Sequence, residues 1–179
     1  MSGSGPIDDF SALFRTEHRV LRDLILDLIE ASGAGDQPEA RRLVGRLADA
    51  AGPHFRYEEE RMYPALVEFF APVHVESLCV EHDSAIGAAR RLCELVEGAS
   101  WGETRRVETE ELARGLLPHV SDCEGLSILV ERLPESEVAR ILAARRRAWD
   151  DNHDLLTWAA EGRLRRSPGA GATAVSARP

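Results

Sequence analysis

An all-α fold, an antiparallel four-helix bundle with an additional C-terminal helix, is what this sequence predicts, and three observations carry the expectation. Apolar residues recur at spacings of three and four along four long segments. No run has the apolar/polar alternation of a half-buried strand, and no hairpin signal joins two such runs. The links between segments are short, which makes neighbours in sequence antiparallel neighbours in space.

The first helix carries Phe10, Leu13, Phe14, Leu21, Leu24, Ile25 and Leu28 on one stripe with His18 among them, and is expected to end near Gly33. Asp36, with Glu39 three residues on, reads as an N-cap and opens a second helix to about Phe70, kinked where Gly52 and Pro53 interrupt it. Pro72 suits the first turn of a third helix running to about Gly98. A fourth is expected from about Gly102 to Leu133, with Pro118 inside it and Pro134 stopping it. The bundle therefore occupies residues 1–134. A fifth helical segment, residues 135–166, bears Ile141, Leu142, Trp149, Leu155, Leu156 and Trp158 and should pack on the outside or end of the bundle. Residues 167–179, "SPGAGATAVSARP", read as a disordered tail.

A chain of 179 residues, 44% of them apolar, suffices for one core. The net charge of -9 argues against nucleic acid as a partner, because phosphate binding needs a basic surface. The runs "ARRRAW" and "RLRR" near the C-terminal end read as a solvated basic face. The N-terminal "MSGSGPIDDF" lacks the basic flank and apolar stretch of a secretion signal, and the longest apolar runs fall far short of the ~18 residues that cross a bilayer. No membrane partner is expected, and the expected location is the cytoplasm. Cys79, Cys93 and Cys123 show no CxxC spacing and fit reduced thiols.

A lone histidine on an apolar stripe is an ordinary core residue. Here four of the six histidines fall one per helix on the inward stripe: His18, His54, His82 and His119. Four imidazoles buried without partners would cost several kcal/mol, on the order of the price of an unpaired buried polar group for each. A bound cation removes that penalty, and neutral imidazole is the commonest nitrogen ligand of transition metals.

Carboxylates extend the pattern. Residues four apart on a helix differ by about 40° in direction, so Glu58 projects to the same side as His54, while Glu59 and Glu60 should turn away into solvent. On the fourth helix the position four after His119 is Cys123, with Asp122 and Glu124 at three and five. A regular helix aims Glu124 away from the site; a widened turn beside Pro118 would return it. A histidine and carboxylate set favours iron, manganese or zinc over magnesium or calcium. Six donors on four helices exceed one tetrahedral site, so two metals are expected, bridged by Glu58 and Glu124.

The text "TEHRVL" around His18, "HFRYEEERMYPAL" from His54, "EHD" around His82 and "HVSDCE" from His119 resembles the hemerythrin-like, or HHE cation-binding, family of non-haem di-iron four-helix bundles. The likeness covers about residues 10–130. It implies two iron ions, His18 and His54 on one, His82 and His119 on the other, with Glu58 and Glu124 bridging. Oxygen-carrying members have one more histidine a turn before the third-helix ligand, where this chain has Leu78. That gap leaves one metal room for water, a small molecule or another donor. Tyr57, Tyr63, Cys123 and Asp122 are the candidates, each with an alternative reading as a packed or surface residue.

The resemblance implies a protein that binds, and through its open position redox-processes, O2, peroxide or nitric oxide. Two other readings stand beside it: a di-iron oxygenase or oxidase acting on an organic substrate, and a metal-dependent sensor or interaction module. A ferritin-like centre would need glutamate three residues before a histidine, and those positions hold Arg15, Ala51, Ala71, Cys79, Leu116 and Asp150. The HExxH motif of zinc proteases is also absent.

Overall fold

The computed structural model describes residues 5–69 and 71–163. The tail expected at 167–179, the last residues of the fifth segment and Phe70 lie outside these. The described residues form helices and no strand.

Helix α1, Pro6–Ala34, begins with proline in its first turn and ends at Gly35, whose φ of 74° is left-handed. The Asp36 N–H reaches back to the Ala31 carbonyl at 3.0 Å, which closes the end of the helix. Asp36 then caps α2, Gln37–Tyr57, by accepting the Glu39 N–H at 3.0 Å, as its spacing predicts. Helix α4 spans Pro72–Glu97 and α5 spans Glu103–Gly125. Pairwise packing of α1 with α2, α2 with α4, α4 with α5 and α5 with α1 closes a ring of four neighbours.

The second helix departs from the expected single kinked rod. It stays α-helical through Pro53, gives way to a π-helical turn over Glu58–Met62, and resumes as the short α3, Tyr63–Leu66. Pro64 supplies the reason: it has no N–H for the carbonyl four residues earlier, and its ring clashes with that carbonyl, so the turn before it widens. The fourth helix shows the reverse. It stays α-helical through Pro118, ends at Gly125 rather than Leu133, and continues as the short α6, Ser127–Val130.

The C-terminal segment is also broken. Helix α7, Glu135–Asp151, stops at Asn152, whose φ of 50° is left-handed, a conformation asparagine tolerates. Asp154 then caps α8, Leu155–Thr157, accepting the Leu156 and Thr157 N–H groups at 2.8 and 3.1 Å, and a second π turn follows over Trp158–Gly162. Helix α7 lies on α2 and α1, and α8 lies on α2 and α4. The junction between them passes so close to α2 that a Cβ on Gly52 would stand 2.3 Å from the His153 carbonyl oxygen.

Two apolar clusters fill the bundle. One gathers Leu24, Leu28, Leu43, Leu92, Leu155 and Trp158; the other gathers Phe10, Phe14, Tyr63, Leu66, Val138 and Ile141. Between them sits a layer of buried polar groups that includes Glu17, His18, His54, Glu58 and His82. No helix among the described residues is long and apolar enough to cross a membrane.

Candidate metal centre

One turn of helix separates Phe14 from His18 and His18 from Leu21, so the imidazole of α1 enters the interior on the apolar stripe. Its ring centroid lies 4.6 Å from that of His54 on α2, edge to face. On the other side of the bundle the rings of His82 on α4 and His119 on α5 are 5.0 Å apart in the same arrangement. Phe55 stacks flat on His82, 3.8 Å between centroids. The four rings thus form two pairs, one from α1 and α2, one from α4 and α5.

Glu58 stands between the pairs and is 0% exposed. Its Oε1 is 3.3 Å from His54 Nε2 and its Oε2 is 3.2 Å from His82 Nε2, so one carboxylate faces both halves. His18, His54 and Glu58 each offer one donor atom within 4.8 Å of the others, and they are the one such group found among the described residues.

Each ring nitrogen on the far side is already engaged. His18 Nδ1 lies 3.0 Å from the Phe14 carbonyl, His54 Nδ1 2.8 Å from Glu17, His82 Nδ1 2.9 Å from Glu59 and His119 Nδ1 3.1 Å from Glu81. An acceptor at Nδ1 keeps the proton there, which points a bare Nε2 inward and raises its basicity; metal-bound histidines are oriented in this way. The donor chemistry therefore fits a cation.

The charges agree. Burial pulls the His18 imidazole down, and neighbouring His54 adds to the effect, leaving it at about 4 and neutral near pH 7. Burial and His82 likewise lower His119. Burial would lower His54 and His82 too, but Glu58 with Glu17 and Glu58 with Glu59, respectively, outweigh it and raise both. Glu58, which burial alone would raise, is held well below the usual carboxylate range by His54 and His82. The upward shifts of His54 and His82 and the downward shift of Glu58 have one cause, their mutual attraction, and a cation bound between them would compete with protons for the two rings.

Several expectations need correction. Glu59 does not turn into solvent: the π turn brings it beside Glu58, where it holds His82 and meets Arg163. Glu60 is exposed as expected and pairs with Arg56 at 2.9 Å. Glu124 turns toward α1, where its charge raises His18 against the pull of burial. The helix stays regular past Pro118, so its carboxylate is 32% exposed and lies 3.4 Å from Arg22. The inward position goes to Cys123, whose Sγ is 2.9 Å from Glu58 Oε1. Asp122 is exposed and lines an outer groove between α4 and α5.

The two tyrosines separate. Tyr57 donates to Glu17 at 2.8 Å on the Nδ1 side of His54, away from the centre. The Tyr63 hydroxyl lies 3.0 Å from His82 Nε2 and 3.4 Å from Glu58, on the metal side. Burial pushes both phenols and the Cys123 thiol well above their ordinary values, and Glu58 pushes Tyr63 and Cys123 further. Tyr63 and Cys123 are protonated in this state.

Sequence reasoning missed the orienting carboxylates Glu17, Glu59 and Glu81. A signal existed for two of them. "EH" occurs at 17–18 and again at 81–82, and in both places the glutamate, about 100° around the helix from its histidine, serves the next helix: Glu17 holds His54 and Glu81 holds His119. The basic face expected at the C-terminal end is also revised. Arg145 and Arg163 turn inward, to Glu17 and Glu59.

A helical bundle with histidines and a shared carboxylate at its middle, all aimed at one another, defines a protein of the metal-binding bundle class. The family model of the hemerythrin HHE cation binding domain matches residues 9–126, and the chain belongs to that family. No curated protein and no solved structure matches the chain. Helices α7 and α8 lie beyond the matched residues.

Proposed function

We propose that this chain is a non-haem di-iron protein that binds and redox-processes O2, peroxide or nitric oxide. His18 and His54 would hold one ion and His82 and His119 the other, with Glu58 between them, Tyr63 beside the second and Cys123 against the Glu58 oxygen that faces the first. Bound iron supplies an electron-rich centre with an open position for a small oxidant. The chain's own residues orient the donors through their Nδ1 partners, exclude water with Phe14 and Phe55, and keep protons at hand on Tyr63 and Cys123.

The observation that carries this reading is a cavity of about 40 Å³ against His18, His54 and His119, walled by Leu21, Ile25, Leu92 and other apolar side chains. At ~10–15 Å³ for each water-sized occupant, it takes about three or four such occupants, which suits a small ligand. Its apolar walls favour a weakly hydrated gas. This argues for the diatomic ligand over the oxygenase alternative.

The test is anaerobic reconstitution with ferrous iron, elemental analysis, and exposure to O2. Two irons per chain and irreversible oxidation of the reduced centre are expected, with at least one iron lost in His54→Ala. A stable oxy spectrum that reverses under vacuum would make the protein a carrier and overturn the redox reading.

A further inference from the structure

We propose that the C-terminal segment Glu135–Arg163 is a clamp on the metal ligands: Arg145 positions His54 through Glu17, and Arg163 positions His82 through Glu59. This rests on the metal-centre reading and adds to it two positioning residues outside the part of the chain that matches the family.

The first chain of contacts begins at Glu17, 7% exposed. Its Oε1 accepts from Arg145 Nε at 2.6 Å, Arg145 Nη2 at 2.5 Å and Trp149 Nε1 at 3.1 Å. Its Oε2 takes His54 Nδ1 and the Tyr57 hydroxyl, each at 2.8 Å. Donors on both oxygens leave the carboxylate one orientation, and the His54 ring inherits it. The second chain repeats the plan. Glu59 meets Arg163 Nε at 2.9 Å and Nη2 at 2.6 Å through both its oxygens, and its Oε1 also faces His82 Nδ1 at 2.9 Å. Each guanidinium lies 5.6 Å from an indole of the same segment, Arg145 over Trp149 and Arg163 over Trp158. Arg163 also reaches Asp83, the residue after His82.

The physical reason for an arginine at each place is the cost of enclosing a carboxylate. A buried Glu17 facing only neutral donors would take up a proton or swing outward, and either change frees the His54 ring to rotate. A guanidinium prevents both, because it neutralises the charge and pins Oε1 of Glu17 with two N–H groups, or both oxygens of Glu59 with one each. The sequence places the two arginines eighteen positions apart, one before and one after the turn at Asn152, so a single segment reaches both halves of the centre.

The experiment compares wild type, Arg145→Met, Arg145→Lys, Arg163→Met and a control, Arg56→Met. The control removes the 2.6 Å pair with Asp151, which ties α2 to α7 without touching an orienting carboxylate. Ferrous iron is added anaerobically against a competing chelator, and 15N spectra of the metal-free histidines are recorded. Arg145→Met should weaken one equivalent of iron roughly 10–100-fold and Arg163→Met the other, the range typical of lost orienting partners. Arg145→Lys should recover part of the loss. In the metal-free spectra Arg145→Met should shift the His54 nitrogens and spare His82, and Arg163→Met the reverse. If Arg145→Met does not fold, Arg163→Met carries the test, since Glu59 is less enclosed. Unchanged iron affinity in both methionine variants, or an equal loss in Arg56→Met, overturns the clamp while leaving the metal centre standing. A wild-type chain that takes up no iron overturns both.

Discussion

Replacing Gly52 by alanine tests the docking of the C-terminal segment without touching a single polar contact of the centre. A Cβ built there meets three backbone atoms: the His153 carbonyl oxygen at 2.3 Å, the Asp154 carbonyl carbon at 2.5 Å and the Leu155 nitrogen at 2.7 Å. Ordinary contact begins at 3.4 Å, so the junction must retreat by the difference, about 1 Å. No flexible side chain can absorb it. Overpacking of this kind costs ~1–3 kcal/mol, against a helix-propensity gain of ~1 kcal/mol for leaving glycine. The net expectation is a loss of up to about 2 kcal/mol, a fall in Tm of up to roughly 8 °C for a chain of this size. Gly45 supplies the comparison. It lies in the same helix, is exposed, and has nothing within 4 Å of its built Cβ, so Gly45→Ala should stabilise. Thermal melts of the two metal-free variants, followed by circular dichroism, should move in opposite directions. If Gly52→Ala raises Tm as Gly45→Ala does, the junction does not sit against α2, and the clamp has no anchor there.

Two further predictions concern the centre. His18, lowered by burial and by His54 from 6.5 to about 4, is a group the unfolded chain protonates first as pH falls. Its contribution to metal-free stability is intact above pH 6.5, shrinks as pH falls toward about 4, and amounts to about 3 kcal/mol at ~1.4 kcal/mol per pH unit. His54 and His82, raised by Glu58 against the pull of burial, act oppositely: their contribution is present below 6.5 and is lost as pH rises through their raised values. Urea midpoints between pH 4 and 8 should therefore show a shallower acid decline in His18→Leu than in wild type; parallel profiles would contradict the assignment. Glu58→Gln should cut iron affinity at both halves by more than the ~10–100-fold of an orienting partner, because one carboxylate serves two rings. Chelator competition reads this, and loss of one equivalent alone would show that Glu58 serves only one side.

His18, His54, His82 and Glu58 lie inside the bundle because each continues an apolar stripe, and stripe periodicity is a local property of a helix. His119 joins them at the margin, 13% of its side chain exposed. The places of Glu124 and Glu59 have one shared determinant: the direction of a side chain five residues on, or one residue on, depends on whether the intervening turn is α or π. Pro53 is expected to kink its helix and Pro118 to widen the turn beside it; both lie within continuous α-helix, while Pro64 follows the π turn that carries Glu58.

The sequence by itself determined that this is an all-α protein in which four helices each bring one imidazole to the interior, since residue spacing and the 3.6-residue turn require nothing from distant parts of the chain. Tertiary structure alone decided which acidic groups serve those imidazoles and which arginines hold the acids. Arg145 lies 128 positions from Glu17, and Arg163 lies 104 from Glu59. Those pairings are fixed by how α7 and α8 cross α2, and a crossing is set by the packing of whole faces, which no local window of residues records.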